Sequence, residues 1–249
     1  MTNKIYALDF DGVICDSAIE TGMAGWRVAC KLWRDMPESM PSGLISQFRA
    51  VRPVLETGYE SVLIMRLLFE GISVETLLED FHHQTETLIT RDQLRVDELK
   101  EIFGATRDEW IKQDFNGWIE MNPLFDGFAN KLKQICQDNC FIITTKQERF
   151  VDHILRANQI SFPTDRIYGL DRKLSKPEVL SDLCREWPEN DILFVEDRLP
   201  TLTNVLSHQH LEKLQLYLAD WGYNTEKDRQ QADDIERIQR LSLTTMAAL

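Results

Sequence analysis

The chain has 249 residues, a formal net charge of −13 and a pI near 4.9. That length holds one sizeable core plus an insertion, and the acidic balance excludes nonspecific attraction to nucleic acid or to an anionic membrane surface. Five cysteines, at 15, 30, 136, 140 and 184, are odd in number and lack metal-site spacing, which fits a reducing compartment. The sequence runs straight into its first strand, and no apolar run approaches the roughly 20 residues of a membrane helix, so a cytoplasmic protein, monomer or homodimer, is expected.

The first element is the apolar run Ile5, Tyr6, Ala7, Leu8, which ends on Asp9, Phe10, Asp11 and Gly12, with Asp16 and Ser17 close behind. Such a run reads as a strand of a parallel sheet, and ligands of open α/β sheets sit beyond the carboxyl ends of these strands. Two acids at an exposed strand end repel each other, so a cation, a proton or a chemical task is expected there. A carboxylate is a competent nucleophile towards phosphorus. A second acid two residues on, pointing to the same side, can protonate the leaving oxygen and later deprotonate water. Two acids facing a phosphate dianion require Mg²⁺ or a similar hard cation.

Between Asp16 and about Met121 the pattern changes. Val28, Leu32, Trp33; Val62 to Leu68; Leu77, Leu78, Phe81; and Leu94, Val96, Leu99, Ile102, Phe103 all show helical spacing. This predicts a helical insertion over 17–121 within a core made of 1–16 and 122–249, with Asn122 and Pro123 marking the return. Arg49, Arg52 and Tyr59 lie around a break containing Pro53 and Gly58 and are candidates to reach an anionic or sugar moiety. Trp26, Trp33, Trp110 and Trp118 read as packing residues, and His82 and His83, being neighbours, do not share a helix face.

Residues 125–135 read as a helix leading into the run Cys140 to Ile143, which ends on Thr144, Thr145 and Lys146. Ser175, Lys176, Pro177, Glu178 begins a helix, because Pro suits the first turn and Glu178 favours the dipole there, so Lys176 sits at a helix N-terminus suited to anions. Ile192 to Val195 is a third buried run, ending in Glu196, Asp197 and Arg198. Residues 225–231 read as a polar loop or short helix, and 232–241 as an edge strand.

These stretches, LDFDGVICDS (8–17), FIITT (141–145), SKPEVL (175–180) and LFVEDRLPT (193–201), together resemble the four ordered motifs of the haloacid dehalogenase-like hydrolases. The segment Leu218 to Tyr223 is similar to the closing strand and turn of the phosphoglycolate-phosphatase-like branch. The resemblance implies an α/β fold with a Rossmann-like parallel core and an all-helical cap, and a Mg²⁺-dependent phosphatase acting on a small phosphorylated metabolite. It implies Asp9 as nucleophile and metal ligand, Asp11 as general acid/base whose carbonyl also ligates the metal, and Asp197 as a further metal ligand. Thr144 and Lys176 would bind the phosphoryl group, with Gly12 and Thr145 beside them. The family's last motif commonly carries a glycine and a later acid, where this chain has Glu196 and Thr201, so Glu196 either joins the metal site or leaves it with fewer charges. A phosphomutase would use the same residues, and a noncatalytic binding protein on a decayed core is the reading from another class.

Overall fold

Apolar residues at helical spacing between Ser17 and Asn122 build one unit from helices alone: α1 (Ala18–Leu32), α2 (Leu44–Val51), α3 (Glu60–Phe69), α4 (Val74–Arg91), α5 (Val96–Gln113) and α6 (Phe115–Glu120). The computed structural model describes residues 4–135 and 139–248, so Cys136 lies outside it. The unit has its own core, in which Val28, Phe48, Val51, Val62, Ile64, Met65 and Leu77 are fully buried. Gly25 lets α1 meet α3, since a Cβ there would sit 2.8 Å from the Ser61 backbone. Pro53 falls in a single 3₁₀ turn, Arg52–Val54, which ends α2 and turns the chain towards α3.

The second unit, residues 1–16 with 123–249, holds the sheet. Its strands are β1 (Lys4–Leu8), β2 (Cys140–Ile143), β3 (Ile167–Tyr168), β4 (Asp191–Glu196), β5 (Gln215–Ala219) and β6 (Ile238–Leu241). Its helices are α7 (Phe128–Gln134), α8 (Glu148–Ala157), α9 (Lys176–Glu186), α10 (Leu199–Leu206), α11 (Glu226–Asp233) and α12 (Leu243–Ala248). All pairings are parallel, in the order β3-β2-β1-β4-β5-β6. The strands read as continuous apolar runs because both sheet faces are covered. Ile5, Ala7, Phe141, Ile143, Ile192, Phe194, Leu216 and Leu218 share one face and pack with Val179, Leu183, Leu202 and Val205 of α9 and α10.

This order places β1 in the middle, with the chain running outward through β2 and β3 on one side and β4 to β6 on the other. The crevice of such a sheet lies where the direction of winding reverses, between β1 and β4 at their carboxyl ends. After β5, β6 adds a further parallel strand at the edge, within the stretch 232–241 read as an edge strand, of which 232–233 instead end α11.

Candidate active site

Register decides which side chains meet at that crevice. Leu8 pairs with Val195, and the Asp9 amide donates to the Val195 carbonyl at 2.9 Å, so Asp9 emerges beside Glu196. Both are buried, Asp9 at 6% exposure and Glu196 at 0%. Two carboxylates placed side by side away from water require a cation, and α9 supplies it. Lys176 Nζ lies 2.9 Å from Asp9 Oδ1 and 2.5 Å from Glu196 Oε2. Ser175 caps the helix in a reciprocal capping box with Glu178, and Pro177 sits in the first turn, so the Lys176 backbone is fixed before its side chain reaches the acids.

The electrostatics follow from that packing. Burial pushes the Asp9 carboxyl up, and although Lys176 pulls it back, Glu196 and Asp11 add to the rise, leaving it at about 7. Burial also pulls on Lys176, but the Asp9 and Glu196 carboxylates outweigh it and its pKa rises. For Glu196 burial is outweighed by Lys176 and by hydrogen bonds from Asp197 and Arg198, and its pKa falls. Glu196 is thus the committed anion of the pair and Asp9 the adjustable one.

Asp197 is held differently. Its Oδ2 accepts from the Tyr223 amide at 2.6 Å, and its carbonyl accepts from Asn224 Nδ2 at 3.0 Å. Gly12, with φ +91°, and Gly222 bracket it: a Cβ on Gly12 would strike the Asp197 carboxylate, and one on Gly222 would lie 2.5 Å from the Gly12 carbonyl. The Tyr223 hydroxyl donates to Asp16 at 2.8 Å and Trp221 Nε1 to the Val13 carbonyl at 3.1 Å, tying the turn after β5 to the loop after β1. Thr144, 6% exposed just past β2, accepts the Lys146 amide on Oγ1 at 3.1 Å. Thr145, next to it, is half-buried.

Asp9, Glu196 and Asp197 each offer a carboxylate oxygen, and these lie within 4.8 Å of one another. All-oxygen donors of this kind fit a hard divalent cation such as Mg²⁺, which takes one or two carboxylates and keeps places for water and substrate oxygens. Within the trio, both oxygens of Glu196 are already engaged, Oε2 by Lys176 and Oε1 by the Asp197 and Arg198 amides at 3.1 and 3.0 Å. Asp9 Oδ2 takes no hydrogen bond among the described residues. Of these oxygens, Asp9 Oδ2 is thus suited to a metal, while Asp197 Oδ2 already takes the Tyr223 amide.

Sequence reasoning gave no role to Lys146, Tyr223, Asp16 or Gly222. Lys146 Nζ pairs with Asp11 Oδ1 at 2.9 Å, and its side chain is only 1% exposed. A lysine three residues past a strand end was the available signal. Among the insertion candidates, Arg49 is exposed on α2 and Tyr59 is half-buried just before α3, under the Lys100 ammonium at 5.6 Å. Arg52 is 5% exposed, not on a solvated surface, and donates to the Leu55 carbonyl at 3.1 Å in its own turn. Trp26, Trp110 and Trp118 are buried, Trp33 packs against the helical core, and His82 and His83 are exposed.

No family model and no curated protein matches the sequence. Solved structures do match. A provisionally assigned phosphoglycolate phosphatase from Lactobacillus delbrueckii subsp. bulgaricus overlays with a TM-score of 0.63 at 14% identity, covering 100% of this chain and 98% of its own. A provisionally assigned haloacid dehalogenase-like hydrolase from Bacteroides fragilis gives 0.59 at 16% identity, covering 100% of both chains. A predicted phosphatase from Clostridium acetobutylicum gives 0.56 at 14%, covering 100% of this chain and 97% of its own. The chain shares the fold of these three proteins, among them the haloacid dehalogenase-like hydrolase, over its full length: a parallel α/β core with an inserted helical unit.

Proposed function

We propose that this chain is a Mg²⁺-dependent phosphatase that hydrolyses a small phosphorylated metabolite through a phospho-Asp9 intermediate. The observation that carries the reading is the Lys176 ammonium held between Asp9 and Glu196 while Asp9 Oδ2 is left without a hydrogen bond. The names of the structural neighbours, two of them phosphatases and one a hydrolase, support the same reaction class.

In this reading Asp9 Oδ2 forms a bond to phosphorus as the ester P–O bond breaks, and Asp11 gives its proton to the departing alkoxide. A water then attacks the phosphoryl group, returns a proton to Asp11, and the Asp9–phosphorus bond breaks to release phosphate. Lys176 offsets charge on both Asp9 and the phosphoryl oxygens, and Gly12, Thr144 and Thr145 contribute donors around them. Asp9, the Asp11 carbonyl and Asp197 would hold Mg²⁺, which would supply the charge neutralisation that an anionic substrate needs to approach these acids. Glu196, as an acid of the same cluster, acts on the site by fixing Lys176. The helical unit is the cap that sets substrate choice: Arg49 and Tyr59 read the substrate, and Arg52 contributes through the turn it holds.

The test is phosphate release from a panel of phosphorylated metabolites and p-nitrophenyl phosphate, with Mg²⁺ or EDTA, for wild type and Asp9→Asn. Activity should require the metal and fall at least about 1,000-fold in the variant. Activity that survives Asp9→Asn would sink the covalent mechanism.

A further inference from the structure

We infer that Lys146 is a positioning residue for the proton transfers assigned above to Asp11, an inference that rests on that reading of the site. Lys146 stands two residues beyond Thr144, and its backbone is fixed on both sides. Its amide donates to Thr144 Oγ1 at 3.1 Å, and its carbonyl accepts from the Leu170 amide at 3.1 Å. Gly169 permits that approach, because a Cβ there would lie 2.7 Å from the Lys146 carbonyl oxygen. Glu148 ties the same turn down, accepting from the Gly169 amide at 3.1 Å and from Arg172 Nε at 2.6 Å. From this base the side chain runs inward at 1% exposure to meet Asp11 Oδ1 at 2.9 Å.

A position that served packing alone would be filled by an apolar side chain of similar length at no desolvation cost, whereas a lysine so buried needs an anion to hold its charge. The anion it meets is the one acid of the site that serves two proton transfers at the same place, because the alkoxide leaves from, and the water arrives at, the position opposite Asp9 across the phosphorus. Asp11 lies on the short loop after β1, and its side chain is 15% exposed. The two acids of the first motif are thereby served by two lysines on opposite sides of β1: Lys176 from α9 faces Asp9, and Lys146 from the end of β2 faces Asp11. A carboxylate anchored at one oxygen presents the other in a fixed direction, and small errors of direction are costly in proton transfer.

Kinetics with two esters of the same shape but different leaving groups distinguish this role. Phenyl phosphate needs its leaving oxygen protonated far more than p-nitrophenyl phosphate does. Lys146→Met should lower kcat about 100-fold on phenyl phosphate and about tenfold on p-nitrophenyl phosphate, with KM kept within about threefold. Lys146→Arg should recover at least about tenfold of the phenyl phosphate loss, and Lys146→Met should cost nothing further in an Asp11→Asn background. Equal losses on the two esters, additive losses in the double variant, or a raised KM with kcat retained would overturn the inference, the last by making Lys146 a substrate contact. If Lys146→Met does not fold, Lys146→Arg carries the comparison, since moving the donors while keeping the charge should produce the same unequal loss in smaller measure. Wild-type protein that releases phosphate from neither these esters nor any metabolite of the panel would overturn the phosphatase reading and this inference with it, whereas an active wild type with an indifferent Lys146→Met would overturn this inference alone.

Discussion

Asp9 sits among more negative charge than its one lysine offsets, and this has a consequence for stability that is separate from catalysis. Its carboxyl is raised from 3.8 to about 7, chiefly by burial, then by Glu196 and Asp11 against Lys176. A group whose folded pKa lies above its unfolded value contributes stability that is present below the unfolded pKa and is lost as pH rises to the folded one. Metal-free wild type should therefore lose stability between about pH 4 and 7 and then level off. Glu196 and Lys176 shift outwards, down and up, so neither adds a slope in that window. Asp9→Asn lacks the slope, and in EDTA it should become the more stable protein by roughly 2 kcal/mol at pH 8, with a much smaller gap at pH 5. Urea titrations at the two pH values check this, and a gap independent of pH would refute it. The acids and Lys176 were legible because each follows an apolar run or opens a helix. Lys146 and Tyr223 were not, because their partners Asp11 and Asp16 lie 135 and 207 residues away.

At the level of elements, what the sequence shows is where local chemistry alone decides. The runs read as strands at 5–8, 140–143 and 192–195 correspond to β1, β2 and β4 within one residue, and the helix start at Ser175 is that of α9. Readings fail where tertiary contacts decide. Residues 125–127 do not join α7, because the Phe125 amide is drawn to the Ile14 carbonyl at 3.0 Å and Gly127 adopts φ +83° before the first turn. β3 has two residues and no apolar run of its own, and it exists only through its pairing with β2. The segment 225–231, read as a polar loop or short helix, is the helix, and it starts through local chemistry, a capping box between Thr225 and Asp228 that opens α11. The same device in α9 is testable. Ser175→Ala removes the acceptor for the Glu178 amide and should cost about 1 kcal/mol, while Ser175→Asp should retain most of it. Because Lys176 follows the cap directly, the alanine variant should also lose several-fold in kcat, measured beside its urea midpoint. A full loss of stability with unchanged kcat would mean that the side chain of Lys176 is held by the acids alone.

The whole molecule consists of two units with separate cores, and the helical one is organised around a charge that hydropathy patterns cannot predict. Glu20 of α1 is 0% exposed and meets Arg107 of α5 in a two-pronged pair at 2.7 and 2.6 Å. Trp118 of α6 donates its indole N–H to the same carboxylate at 3.0 Å, Thr21 accepts from Arg107 at 3.3 Å, and the guanidinium lies 4.3 Å from the Phe103 ring centroid. Helices far apart in sequence are thus fixed by one planar contact whose partners are 87 and 98 residues distant, which is why Trp118 read only as a packing residue. Removing one partner strands a buried charge, so Arg107→Met should cost about 3–5 kcal/mol. Arg107→Lys should recover little, because an ammonium cannot reproduce the fork. The double variant Glu20→Met with Arg107→Met should recover a substantial part, limited by the loss of the acceptor for Trp118. Urea unfolding followed by near-ultraviolet circular dichroism, a signal to which the buried Trp118 contributes, measures these differences. A single variant that unfolds at the wild-type midpoint would show that the pair is incidental to the helical unit, and a double variant no better than the single one would show that its energy resides in the indole hydrogen bond instead.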